Sequence, residues 1–196
     1  AGFATLEYKI NPKLTLLAGI RGEQITQTIN WDTSLSTGDN ELDTFEILPA
    51  LSLKYALNEK QNFKFAASKT YTLPQYKERA PFLFQEVNQD YFGNSALYAS
   101  TDYNVDIKWE FFPEASEIMS LGVFGKYIEN PINTATINSA SNDISYMNSG
   151  DYATAFGAEF EIRKNIFETL VETDDNDLKT NFSAGLNASY MMTNQE

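Results

Sequence analysis

The chain has 196 residues with 14 Lys and Arg against 27 Asp and Glu, and its net charge of -13 argues against a nucleic-acid phosphate partner. It has no cysteine and no histidine, which excludes disulfides, Ser-His-Asp and Cys-His catalysis, and His-ligated zinc within it. Hydrophobic residues make up 42% and no run reaches the ~18 apolar residues of a spanning helix, so only alternating strands could carry this chain through a bilayer.

The alternation begins at once. Ala4, Leu6, Tyr8 and Ile10 alternate with Thr5, Glu7 and Lys9, the period of two that marks an extended strand, and Asn11-Pro12-Lys13 ends it in a turn. A second strand places Leu14, Leu16, Ala18 and Ile20 opposite Thr15, Gly19, Arg21 and Glu23, and continues through polar Gln24 to Asn30. Trp31 to Asn40 is rich in Ser, Thr, Gly, Asp and Asn and reads as a loop. The third strand, roughly Glu41 to Ala56, contains Pro49, which cannot donate to a ladder and predicts a bulge or distortion. After the turn Asn58-Glu59-Lys60, Asn62 to Leu73 forms a fourth strand with Phe63, Phe65, Ala67 and Tyr71 on one face. Pro74 to Ala96 is a long connection of the kind that is usually functional or disordered.

The clearest hairpin follows. From Asp102 to Phe111, Tyr103, Val105, Ile107, Trp109 and Phe111 share one face and Asp102, Asn104, Asp106, Lys108 and Glu110 the other. Pro113 to Ser116 turns the chain, which returns with Met119, Leu121, Val123 and Tyr127 on its apolar face. Each limb suits a tilted strand crossing a bilayer, which needs about 9–11 residues against roughly five or six in soluble sheets, and aromatics at both ends of the apolar stripe match interfacial girdles. Pro131 to Asp151 is a second long connection, Tyr152 to Arg163 a seventh strand, Lys164 to Lys179 a stretch expected to hold a short helical turn, and Phe182 to Tyr190 an eighth strand.

The connections alternate in length, as in outer-membrane barrels with short periplasmic turns and long outer loops. This predicts an all-β fold, an antiparallel up-and-down transmembrane β-barrel of which about eight strands are present. Val105, Ile107, Leu121, Val123, Phe160, Ile162, Leu186 and Ala188 should face lipid, and Lys108, Glu110, Glu159, Glu161 and Arg163 the lumen. Connections at about 31–40, 74–96 and 131–151 should be extracellular, and those near 11–13, 58–60, 113–116 and 165–179 periplasmic.

Several motifs are similar to those of TonB-dependent outer-membrane receptors, particularly a Bacteroidetes-like group. They are Leu17-Ala18-Gly19-Ile20-Arg21-Gly22-Glu23, Leu48-Pro49-Ala50-Leu51-Ser52-Leu53-Lys54-Tyr55, and the run from Ala67 to Phe82, which resembles S-[RK]-T-x-x-x-P-x-[FY]-[RK]-E followed by A-P-F. Phe124 to Ile132 resembles F-x-K-x-[IL]-x-N-P-I, and Ala155 to Lys164 resembles G-x-E-x-E-[IV]-R-K. The resemblance implies a barrel of about 22 strands around a plug, importing a scarce solute (siderophore-iron, a cofactor, a glycan or a peptide) with energy relayed by TonB. On that reading residues 1–196 are part of one barrel domain in the cell outer membrane, without its plug and remaining strands. The implied partners are outer-membrane lipid, TonB through the missing plug region, a small solute and a surface lipoprotein. The alternative reading is a complete eight-stranded outer-membrane barrel with a structural or adhesion role, and a soluble β-rich binding module is a third.

No catalytic role, resident cofactor or metal site is expected. Asp174 to Asp177 reads as a solvated turn because Leu178 stands where a calcium loop needs an oxygen ligand. Asp32, Asp39, Glu41 and Asp43 read as a solvated acidic loop, and Glu159 and Glu161 as cross-strand ion-pair partners of Arg163. The candidate ligand contacts are Trp31, Tyr76, Arg79, Phe82 and Tyr91 in the outer loops, with Phe84 and Phe92 adding to the aromatic cluster.

Overall fold

The computed structural model describes residues 1–33, 37–87, 89–137, 143–171 and 178–195. Four strands lead the chain: β1 (Gly2–Asn11), β2 (Leu14–Asp32), β3 (Thr37–Asn58) and β4 (Gln61–Thr72). An excursion containing α1 (Tyr76–Arg79), β5 (Leu83–Gln85) and β6 (Asp90–Phe92) precedes the hairpin β7 (Ser100–Phe111) and β8 (Ile118–Glu129). A second excursion, β9 (Ile132–Thr136) and β10 (Ile144–Asn148), leads to β11 (Tyr152–Val171) and β12 (Leu178–Gln195).

The long strands form one eight-stranded sheet in the order β1-β2-β3-β4-β7-β8-β11-β12, with antiparallel neighbours throughout. Register makes its two faces chemically pure near mid-strand. One row runs Tyr8, Leu16, Leu53, Phe65, Ile107, Val123, Ala158 and Tyr190; the adjacent row, on the opposite face, runs Lys9, Thr15, Lys54, Lys64, Lys108, Gly122, Glu159 and Ser189. The residues predicted to face lipid and those predicted to face the lumen fall on opposite faces throughout β7, β8, β11 and β12.

Burial is inverted relative to a water-soluble protein. Ile107, Leu121 and Val123 are 46%, 50% and 48% exposed, whereas Asp102, Glu110 and Ser120 are 4%, 6% and 2% exposed. A continuous apolar face of this size left open is a membrane-contacting surface. Trp109 and Phe111 stack at one end of the band, and Tyr127 stacks with Tyr152 at the other, with ring centroids 6.2 and 5.4 Å apart. From Phe111 to Tyr103 the strand rises about 27 Å at ~3.4 Å per residue, and a tilt of ~40° reduces this to about 20 Å along the normal, within the height of an outward apolar band.

Two turns at the Trp109 and Phe111 end are tight. Asn11 Oδ1 accepts from the amides of Lys13 and Leu14, and Asn58 Oδ1 repeats the device on the amide of Lys60. Register shifts between Lys9 and Asn11, Ala56 and Asn58, and Asn165 and Phe167 put three bulges along this rim, where barrels commonly place them.

Two expectations need correction, and a third holds in one of its two forms. Trp31, Asp32 and Thr37 to Asn40 are strand rather than loop, since β2 and β3 remain paired out to Asp32 and Thr37. Side-chain bonds from Thr26 to Asp43 (3.1 Å) and from Thr37 to Asp32 (2.6 Å) hold the polar ladder where turn formers suggested a loop. Lys164 to Val171 is strand rather than a helical turn, its ladder continued by Ser183 bonding Asn165 and by Phe167 stacked on Phe182 at 5.6 Å. Pro49 makes no bulge against β2, with which the register is unbroken; the distortion falls on the other side, where the β3–β4 ladder stops one residue away, at Ala50 and Ser68. The Asp174 to Asp177 turn lies outside the described residues.

Candidate functional site

The polar face of the sheet forms one half of the site. Lys54, Lys64 and Lys108 are in register on adjacent strands, an arrangement of like charges that destabilises unless it is compensated. Glu110 supplies compensation: its carboxylate, 8% exposed, lies 2.8 Å from Lys64 Nζ and 3.8 Å from Lys108 Nζ. Next to it, Lys108, Ser120, Glu159, Glu161, Asn187 and Ser189 line a groove of about 290 Å³. Arg163 makes no ion pair with Glu159 or Glu161 among the described residues, contrary to expectation; it sits two registers beyond Glu161 towards the turn, against Gly185, and is exposed.

The other half is the loop end. Above Ala50 and Ser68 no backbone ladder joins β3 to β4, and side chains bridge the gap. Lys69 Nζ meets Glu46 at 3.1 Å, Tyr71 donates to Glu23 at 2.6 Å, and Gln27 Nε2 donates to the Pro74 carbonyl at 3.0 Å. Arg79 closes the series. Its side chain is 1% exposed and donates through Nη1 to the Gln27 carbonyl (2.9 Å) and Gln27 Oε1 (3.0 Å), and through Nη2 to Asn40 Oδ1. No ion pair joins it among the described residues, and burial lowers its pKa, as desolvating a cation must.

The two excursions form one cap. Strands β5, β6, β10 and β9 make a four-stranded sheet in which β6, from the first connection, pairs in parallel with β10, from the second. Asn94 Nδ2 donates to the Tyr146 carbonyl (2.8 Å), Ser145 Oγ to the Phe92 carbonyl (2.9 Å), and Asn148 exchanges bonds with the Tyr98 backbone (3.0 and 3.1 Å). Asn130, left-handed at φ 53, turns the chain into the second excursion, its carbonyl bonded by Asn148. Gly93 is required for close approach, because a Cβ there would lie 1.8 Å from the Ala80 carbonyl oxygen.

The five sequence-nominated residues separate in this setting. Tyr76 is 63% and Phe82 37% exposed; with Lys77, Phe84, Thr28 and Asn30 they line a recess of about 380 Å³, and the Phe82 and Phe84 rings are 4.7 Å apart. Trp31 lies near the hairpin tip with its ring over Gly38, where a Cβ would meet it at 2.7 Å. Tyr91 belongs to the cap sheet, stacked on Tyr146 at 6.3 Å and accepting from Gln89; burial raises the pKa of Tyr146. Arg79 points into the structure rather than to solvent. Of the acidic residues along the hairpin, Asp32, Glu41 and Asp43 accept bonds from Thr37, Thr28 and Thr26. Sequence reading missed Gln27, Asn94 and Asn148, whose importance depends on partners some 50 positions away.

Comparison with known proteins adds the following. The family described as TonB dependent receptor-like, beta-barrel matches residues 1–196. The siderophore receptor PirA from Pseudomonas aeruginosa is similar in structure, with a TM-score of 0.70 at 18% identity over 98% of this chain and 31% of that one. The ferric enterobactin receptor PfeA in complex with BCV-L6 gives 0.62 at 18% identity, over 94% of this chain and 26% of that one. The hemophore receptor HasR of Serratia marcescens, a double mutant bound to its hemophore HasA and heme, gives 0.60 at 12%, over 86% and 34%. The chain therefore spans about a third or less of these structures. No curated protein sequence matches.

Proposed function

Since the chain belongs to the TonB-dependent receptor β-barrel family, whose barrels lie in the outer membrane, we propose that residues 1–196 are part of one barrel domain that imports a scarce solute. The observation that supports this reading most directly is the inverted burial of the eight-stranded sheet, with Ile107, Leu121 and Val123 open and Glu110 and Ser120 covered. A sheet of this kind is stable only with lipid on one side and a wet interior on the other. An eight-stranded barrel closed on itself is not favoured, because β1 and β12 lie at opposite edges of the sheet and do not pair.

In this reading the cap end is extracellular and the tight-turn end periplasmic. The solute is siderophore-bound iron, a cofactor, a glycan or a peptide; the solved relatives named above are described as siderophore, ferric enterobactin and hemophore receptors. Tyr76 and Phe82, exposed at one recess, make the first contacts, with Trp31 and Tyr91 further along the same end. Energy reaches the barrel through TonB acting on a plug, a surface lipoprotein is a further partner, and no residue here is assigned a catalytic task. The test is uptake of labelled ferric siderophores, heme and cobalamin, then glycans and peptides, by cells with and without the full-length receptor. Saturable uptake abolished by a protonophore is expected; uptake that persists without proton-motive force contradicts the reading.

A further inference from the structure

We infer that Arg79 is a latch coupling the β2–β3 hairpin to the two-excursion cap, so that three connections at the loop end move as one body. The hairpin needs such a coupling, because above Ala50 and Ser68 it has lost its backbone ladder to β4. Beyond that point β2 and β3 pair with each other for another thirteen registers, out to Asp32 and Thr37, as a projecting ribbon.

The guanidinium is placed to hold both limbs of that ribbon. Gln27 is on β2 and Asn40 is on β3, two registers apart along the ladder, and Arg79 donates to both while Gln27 returns a bond to the Pro74 carbonyl. A planar fork reaches the two limbs from separate nitrogens, Nη1 and Nη2, whereas an ammonium would have to serve both from a single atom.

On its other side, α1 is bound into the cap. The Asn94 amide donates to the Glu78 carbonyl at 2.6 Å, and Gly93 lies against Ala80 so closely that no side chain fits. Residues 93 and 94 continue directly from β6, which pairs with β10, so the chain of contacts runs from hairpin through Arg79 and α1 to both excursions.

The burial of Arg79 sharpens the argument. A cation 1% exposed, with neutral acceptors and a buried Nε that has no partner among the described residues, is costly to keep dry and depends on those acceptors staying in place. Displacing α1 would expose the charge to water, which solvates it well, so the latch has two states: engaged and dry, or released and wet. A solute touching Tyr76 or Phe82 presses on α1 and on the loop that follows it, and so acts on this equilibrium. That last step rests on the proposed function; the latch itself does not.

The test uses the full-length receptor in membranes with other cysteines removed, which is simple here because this chain has none. Spin labels on cysteines at Asn30 and Gln85 report the hairpin-to-cap distance, and labels at Gln85 and Thr134 report the distance within the cap. The native protein should give one narrow distance for each pair. Arg79→Met should spread the first distance into several while the second stays narrow, and Arg79→Lys should spread it less. Asn40→Ala, which removes one acceptor and spares the guanidinium, should give a smaller spread and covers the case in which Arg79→Met fails to assemble. An unchanged Asn30–Gln85 distance in both Arg79→Met and Asn40→Ala would overturn the latch, and so would equal spreading of both pairs, which would make Arg79 a general support of the cap.

Discussion

The wall around β7, β8 and β11 and the cap built from β5, β6, β9 and β10 use the same backbone chemistry in opposite surroundings. In the wall the covered side chains are Asp102, Glu110 and Ser120, and large aliphatics lie open. In the cap the covered residues include Leu97, at 2%, and Ala80, at 8%, as in a water-soluble structure, with Arg79 the charged exception. The alternation of a strand says only that its two faces differ; the solvent on each side decides which face is hidden. The wall is cohesive through long ladders, whereas the cap strands have three or five residues each and rely on Asn94, Asn148 and Arg79. The first is therefore sensitive to polarity and the second to fit.

The largest effect should come from reversing polarity in the wall. Val123→Arg places a cation in the middle of the apolar band and should cost about 2–4 kcal/mol, whereas Gly122→Ala, on the wet face with its nearest neighbours 3.8 Å from the new Cβ, should change stability by less than ~0.5 kcal/mol. Reversible unfolding in vesicles measures both, and equal costs would remove the distinction between the faces. Next is the fit of the cap. Gly93→Ala forces a methyl against the Ala80 carbonyl and should cost about 1–3 kcal/mol, seen as faster hydrogen exchange in β6 and β10 with no change in β7 and β8. Exchange that accelerates everywhere would show that wall and cap are one cooperative unit.

Smaller effects follow. Glu110→Gln removes the carboxylate shared by Lys64 and Lys108; because the lysines are 45% and 40% exposed, the loss should be about 1 kcal/mol rather than that of a fully buried pair. Adding salt should diminish the difference between variant and native protein, and a salt-independent loss would point to packing instead. Smallest for the fold is Phe82→Ala: it should leave unfolding unchanged while weakening solute binding by about 0.5–1.5 kcal/mol, read by titration on whole cells. Unaltered binding would place the contact elsewhere on the loop end.

The wall was legible in the chain because its signal is local. Tyr103 to Phe111 alternates without a break, and neighbouring strands repeat the pattern in phase, so faces and turns could be assigned from spacing. Strand ends were harder. The residues from Trp31 to Asn40 have turn composition, but a ladder needs only backbone groups, and threonine to carboxylate bonds let it continue where both faces are polar. Arg79 shows the limit of reading a site this way. In sequence it stands among Lys77, Glu78 and Pro81 as one exposed cation among several, and only the fold reveals Gln27 and Asn40 waiting 52 and 39 positions earlier. The exposed pair Tyr76 and Phe82 was identifiable by residue type, whereas the parallel pairing of β6 with β10 has no local signature at all.

The central claim is that the open apolar face meets lipid and the covered polar face meets water. A cysteine scan along β11 tests it directly, with single substitutions from Ala158 to Arg163 in the full-length receptor, in native outer membranes, exposed to a membrane-impermeant maleimide. Labelling is expected at Glu159, Glu161 and Arg163 and protection at Ala158, Phe160 and Ile162, a strict period of two. Uniform labelling, or labelling of the second set with protection of the first, would contradict it.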